Sequence, residues 1–289
     1  MMPYSKPITE IIKQRFSCRS YLKQPIATNI REQLEDFAAR QSVGPLGGPA
    51  RFELVAGKDK DLVELKDLGT YGFIKGATGF IVGAANSDGK NLEDFGFLLE
   101  KIILYATDLG LGTCWLGGTF TKTSFARKIN VGDGEIVPSV SAVGYIAEKP
   151  RRIDKLIRRG ANAEKRLPWE QLFFDGSFGK PMGNGQAGDH GTALEMVRLG
   201  PSASNRQPWR IIRQDNLWHF YLQRSPGYQK RKLVKLYTTA DLQRIDMGIA
   251  MCHFDLTLRE QGTDGRWVVE DPGIAAGQEP LEYTSTWVG

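Results

Sequence analysis

This chain of 289 residues predicts an α+β fold built as two similar lobes in tandem, resembling a fused dimer, and three observations carry that expectation. The first is an internal repeat. Aligning Asp94 with Asp246, an offset of 152 residues, places Gly96 on Gly248, Leu104 on Leu256, Gly110 on Gly262 and Trp115 on Trp267 without a gap. The second is that each copy of the repeat has helical apolar spacing and ends at a glycine. Phe95, Leu98, Leu99, Ile102 and Leu109 mark the first helix; Ile245, Ile249, Phe254 and Leu258 mark the second. Gly110 and Gly262 suit the left-handed position just past a helix end. The third is that short β-branched and aromatic runs recur in both halves, so long helices and strands alternate in each lobe.

Taken in order, Ile8, Ile11 and Ile12 predict the buried face of a short N-terminal helix, with Arg15 following at helical spacing and Arg19 one turn on if the helix persists. "FELVAG" (Phe52 to Gly57) predicts a strand, the repeat helix follows, and "SVSAVGYIAEKP" closes the first lobe with another strand. The basic stretch after Pro150 predicts a connector over 151–163, which leaves lobes at 1–150 and 164–289. In the second lobe "WRIIRQ" answers "FELVAG", and "QDN" turns the chain into "LWHFYLQR" as a hairpin partner. The wide apolar stripes of the two repeat helices predict that they are buried against each other across a pseudo-twofold axis.

Composition narrows the function. The chain carries a formal charge of +5 with 38 basic and 33 acidic residues, a balance that reads "KPRRIDKLIRRG" and "YQKRKLVK" as a connector and a solvated helix face rather than a nucleic-acid groove. The start lacks an apolar h-region and no apolar run reaches membrane-span length, so a cytoplasmic protein is expected. Three scattered cysteines make no disulfide framework, and the spacings of zinc sites are missing; no metal is expected. His190, His219 and His253 have no partner spacing that marks a catalytic pair.

Two stretches concentrate chemistry. "RFSCRSY" (Arg15 to Tyr21) offers two guanidiniums and the Ser17 hydroxyl, a set that suits a phosphate because the planar fork stays charged and presents paired donors. A solvated helix end would carry the same residues. "GPSASNRQPWR" (Gly200 to Arg210) crowds short polar side chains onto one turn before a strand, which an ordinary turn also tolerates. With "LGLGTCWLGG" (Leu109 to Gly118) after the long helix, these stretches resemble the nitroreductase-like family of FMN-dependent oxidoreductases, and more closely its members in which two lobes are fused.

The resemblance implies a nitroreductase-like fold and an FMN site at the junction of the lobes. Arg15, Ser17 and Arg19 would hold the phosphate. Arg166 would be a further phosphate ligand or an exposed linker cation. Pro201, Ser202, Ala203 and Asn205 would border the flavin ring, and Gly117 and Gly118, expected at the end of the long helix, would bring backbone N–H groups to it. No side chain is expected to act as the catalyst itself, since the flavin N5 carries the hydride. NAD(P)H would be the donor and a nitroaromatic, a quinone or a similar small molecule the acceptor; the alternative is a flavin-binding protein without turnover. Gln207, Pro208 and Trp209 are expected to be structural.

The second lobe's counterpart of "RFSCRSY" is "QLFFDGSFGKPM", where Leu172, Phe174 and Gly176 replace Arg15, Ser17 and Arg19. The first lobe's counterpart of the polar turn is "GPLGGP" (Gly44 to Pro49), without serine or asparagine. These losses are complementary and predict one composite site per chain, in a monomer whose lobes supply both sides of the interface.

Overall fold

The computed structural model describes residues 3–56, 70, 72–118, 120–149, 151, 154, 160, 165–228, 240–274 and 280–289. The first lobe contains α1 (Ile8–Gln14), α2 (Thr28–Ala39), β1 (Arg51–Ala56), β2 (Gly79–Ala84), α3 (Asn91–Asp108), β3 (Gly112–Leu116), α4 (Lys122–Lys128) and β4 (Val140–Gly144). The second contains α5 (Trp169–Leu172), β5 (Phe173–Asp175), β6 (Ser177–Pro181), α6 (Gly191–Leu199), β7 (Trp209–Gln214), β8 (Leu217–Gln223), α7 (Leu242–Glu260), β9 (Arg266–Val268) and β10 (Leu281–Val288). Most of the expected connector, 151–163, lies outside the described residues.

The two sheets have one topology. The first runs β1-β2-β4-β3, and the second repeats that order as β7-β8-β10-β9, with the β5–β6 hairpin added beyond β7. The expected hairpin forms: Gln214 pairs with Leu217 across a two-residue turn in which Asp215 takes φ 51. A single hydrophobic core runs through both lobes, joining Phe52, Phe95 and Leu99 to Trp209, Phe220 and Phe254. A smaller cluster around Phe80, Phe125 and Val140 covers the far face of the first sheet, so β2 is buried along its whole length.

At the centre, α3 and α7 cross at glycines related by the sequence offset. A Cβ on Gly96 would overlap the Ile245 carbonyl oxygen, and one on Gly248 would overlap the Glu93 carbonyl oxygen. The two contacts exchange under the same offset of 152 residues, which is a pseudo-twofold axis in residue numbers. Only glycine permits backbone to approach backbone so closely. Arg244 bonds Glu93 with both Nε and Nη2 (2.9 and 2.6 Å) beside this crossing. The helix ends match as well: Gly110 and Gly262 both take φ 81, and the N–H of Leu111 reaches Ala106 O as that of Thr263 reaches Leu258 O, each at 2.9 Å.

Three expectations need correction. Helix α1 stops at Gln14, and Arg15 is already extended (φ −63, ψ 129); Ser17 then bridges Thr113 of β3 in parallel. Cys18 and Ser20 are buried while Ser17 and Arg19 are half-buried, the alternation of a strand. Arg15, Ser17 and Arg19 therefore share a face through a period of two rather than a helical turn. Gly117 and Gly118 follow β3, because the long helix ends at Asp108 and the chain turns at Gly110 into a strand before reaching them. The segment at Leu172–Gly176 is rerouted: β5 pairs with β7, the counterpart of β1, at the edge opposite the counterpart of β3. The second lobe has thus lost the path of the basic segment as well as its side chains.

Candidate functional site

The extended segment after α1 lies at the junction of the lobes, because α1 packs on α6 and α7 of the second lobe as well as on α3. The N-terminal amides of α1 reinforce the junction: Ile8 and Thr9 donate to the Glu260 carboxylate at the end of α7. Arg15 is carried inward, its side chain only 6% exposed, with Nε 3.7 Å from Oε1 of the fully buried Glu100. Glu100 also accepts from Trp115 Nε1 at 2.7 Å and lies 2.9 Å from His253 Nε2. The Arg15 Nε–H makes no hydrogen bond.

The second lobe contributes the polar turn. It is strained: Ser204, Asn205 and Gln207 have φ 53, 53 and 49, the left-handed region that costs a non-glycine residue roughly 1–2 kcal/mol. What holds it is a set of internal bonds. The Ala203 N–H donates to Asp246 (2.9 Å to Oδ1), the Gln207 N–H to Ser202 Oγ (2.8 Å), and the buried Gln207 side chain accepts from Leu167 N (2.8 Å) while donating to Lys165 O. Gln207 thereby ties the segment Lys165–Leu167 to the turn. Arg166, on that segment, donates to Asn205 Oδ1 at 3.3 Å and to Leu199 O at 3.1 Å, so it is a built-in part of the turn and not a loose linker cation.

Electrostatics bring the two halves together. Burial lowers the Arg166 pKa, and the nearby Arg15 charge lowers it further. Arg15 and Arg19 flank Ser17, which bridges Thr113 of β3, and burial pushes the neighbouring Cys114 up while the charges of Arg19 and then Arg15 draw it back. Arg15 of the first lobe and Arg166 of the second thus repel each other across the junction. Strain concentrated on the neighbouring turn fits a binding element.

The remaining candidates are placed differently. Pro201 begins the turn, but the Ser202 hydroxyl and Ala203 N–H already serve the turn itself. Gly117 packs on the first residue of α7, where a Cβ would lie 2.7 Å from Leu242 Cδ1; Gly118 is exposed. Two residues beyond the sequence candidates emerge: Glu100, and His253, whose ring is fully buried. A carboxylate within the apolar run "FGFLLEKIIL" was the available signal, since such a group is buried only when paired.

The pseudo-symmetric position keeps the scaffold without the chemistry. Asp94, the counterpart of Asp246, accepts from Leu46 N (2.9 Å) and Gly48 N (2.6 Å) of the "GPLGGP" turn. Burial pushes Asp94 up to about 6 and Asp246 well above the usual carboxylate range, each partly offset by these backbone bonds. A cavity of about 340 Å³ opens beside the first-lobe turn, lined by Pro49, Arg51, Asp88, Asp133 and Glu135 among others. Its arginine is spent on Glu135 (3.0 and 2.8 Å), which leaves an acidic wall that repels phosphate.

Two α+β lobes of one topology are joined through paired central helices. A family model described as "Putative TM nitroreductase" matches residues 7–258, and the chain belongs to that family. Its fold is that of a crystal structure described as a putative nitroreductase from Thermotoga maritima, with a TM-score of 0.61 at 20% identity, covering 100% of this chain and 96% of that one. A nitroreductase family protein from Clostridium novyi (22% identity, TM-score 0.41) matches 51% of this chain and 89% of its own. A nitroreductase with bound FMN from Bacteroides fragilis (20% identity, TM-score 0.41) matches 51% of this chain and 92% of its own. No curated protein matches the chain. Among the described residues no cluster of side chains suits a metal, and no helix is long and apolar enough to cross a membrane.

Proposed function

We propose that the chain is an FMN-dependent oxidoreductase of the nitroreductase type, with one composite flavin site, which takes hydride from NAD(P)H and passes it to a nitroaromatic, a quinone or a similar small acceptor. The observation that supports this is that Arg15, on the segment that runs Ser17 and Arg19 along β3, acts on Arg166 of the second lobe, which itself bonds Asn205 of the polar turn. The mutual repulsion of Arg15 and Arg166 is relieved by a dianion, and FMN ends in one. Arg15, Arg19 and Arg166 hold the phosphate, Ser17 adds a hydroxyl on the same face, and the turn from Pro201 to Asn205 borders the ring. Gly118 leaves the backbone open just beyond β3, while Gly117 packs against Leu242 at the start of α7. Flavin, when bound, supplies reversible hydride transfer at N5. This chain's own work is to neutralise the phosphate, fix the ring's orientation and keep the donor and acceptor in one slot by turns. Because the lobes supply both sides of the site, the protein acts as a monomer.

The test is the visible absorption spectrum of natively purified protein, with flavin released by heat and counted. One FMN per chain supports the proposal, two per chain overturns the single site, and none after FMN addition overturns the function. Anaerobic titration with NADH and NADPH follows. Rapid bleaching establishes turnover chemistry, whereas a flavin that neither nucleotide reduces makes the chain a flavin-binding protein.

A further inference from the structure

The buried carboxylate of Glu100 sits where a wholly apolar side chain would serve the core better, and its surroundings are asymmetric in an informative way. His253 Nδ1 lies 2.8 Å from Met196 O, which can only accept, so Nδ1 carries a hydrogen. His253 Nε2 lies 2.9 Å from Glu100 Oε1, so a second proton lies between them. Trp115 Nε1 occupies the other carboxylate oxygen. Only Arg15 Nε, 3.7 Å away and without a hydrogen bond of its own, completes the set. Under the offset of 152 residues Glu100 corresponds to Cys252, and His253 to Lys101. The network exists on one side of the axis alone, the side that keeps the basic segment.

We propose that Glu100 is a positioning residue for Arg15. Its carboxylate holds the Nε edge of the guanidinium, and His253 and Trp115 fix the carboxylate in turn, which leaves the two terminal nitrogens of Arg15 to the phosphate. The inference rests on Arg15 being a phosphate ligand of the proposed flavin site. A guanidinium buried to this degree, with no fixed counter-charge, would swing or draw in water, and pre-set geometry is what a paired-donor contact needs.

The experiment compares two flavins and two states. Glu100→Gln removes the charge while its amide still serves both neighbours, with NH2 toward His253 and the oxygen toward Trp115. The affinities of FMN and of riboflavin, which lacks the phosphate, are measured by fluorescence quenching. The expected result is a loss of roughly tenfold or more in FMN affinity, the order of one charge-assisted contact, with riboflavin unchanged and no further loss when Glu100→Gln is added to Arg15→Ala. Equal losses for the two flavins, or additive losses in the double variant, would overturn the proposal. Glu100→Asp, which keeps the charge but withdraws it by one methylene, gives an intermediate loss and serves if Glu100→Gln folds poorly. The Arg15 Nε–H resonance, assigned by its disappearance in Arg15→Lys, reads the same contact without any flavin. A shift and faster solvent exchange in Glu100→Gln is expected, and an unmoved resonance refutes the positioning role. A wild type that binds neither flavin refutes the proposed function, and the resonance still decides the Glu100–Arg15 contact.

Discussion

The glycine crossing of α3 and α7 sets two physical terms against each other, and their balance can be measured. Replacing Gly96 or Gly248 by alanine improves intrinsic helix propensity by about 1 kcal/mol at an interior position. Against this, a Cβ at Gly96 would overlap the Ile245 carbonyl oxygen and lie 3.0 Å from its carbon, and one at Gly248 would overlap the Glu93 oxygen and lie 2.7 Å from Phe97 N. These are backbone atoms of the facing helix, so no rotamer change relieves them. Ordinary contact distances require the helices to part by roughly 1 Å, which opens gaps along the whole crossing. Overpacking of this kind costs about 1–3 kcal/mol, and a backbone clash belongs at the upper end. The expected net loss is roughly 2 kcal/mol for each variant, or about 4–8 °C in Tm for a chain of this size. The double variant should lose less than the sum, because the first alanine already separates the helices. Gly191→Ala is the control: it starts α6 with only the Ala187 Cβ at 4.0 Å, and is expected to be neutral or slightly stabilising. Denaturant unfolding of the four variants and the wild type checks the argument. If Gly96→Ala and Gly248→Ala were as stable as the wild type, the close approach of the helices would be refuted.

Further expectations concern the site and its counterpart. Arg19→Ala should weaken FMN binding by about 1.5–3 kcal/mol, whereas Leu172→Ala, which opens the second-lobe core, should cost stability and leave flavin affinity unchanged in the folded protein; equal losses of affinity would contradict the single composite site. Gln207→Ala leaves the Leu167 N–H without its acceptor and should destabilise by about 1–3 kcal/mol while also loosening Arg166, read by unfolding and by FMN titration. For Asp94 the folded pKa of about 6 lies above its unfolded value of 3.8. The group is therefore most favourable below about pH 4, and its contribution falls as pH rises through 6, by about 3 kcal/mol in all. The stability of the wild type minus that of Asp94→Asn should accordingly decline between pH 4 and 7 in urea unfolding. A difference that rises over that range would show the carboxylate to be stabilised, not strained, by burial.

The repeat was legible in the sequence because its determinants are local. Glycine at a helix end, at a crossing and before a strand has a backbone reason visible in one dimension, and a fixed offset multiplies that signal. The polar turn was legible because Pro, Ser and Asn specify backbone conformation by themselves, and Trp209 could be assigned to the core by its place at the head of a strand. The path of Arg15 to Arg19 was decided by tertiary pairing instead. The same residues suit a helix end or a strand, and only the bridge of Ser17 to Thr113 fixes the period of two that aligns them. The rerouting of Leu172–Gly176 onto β7 likewise depends on which sheet edge is open. Glu100, His253 and Arg15 are far apart in sequence and on three elements, so a network built from them has no linear signature beyond one charge in an apolar helix. Sequence alone thus determined the two lobes and the elements that carry the candidate residues. The placing of Arg15 beside the buried Glu100 and within range of Arg166 came only from long-range packing, because a pair interaction across the axis depends on where both partners are folded.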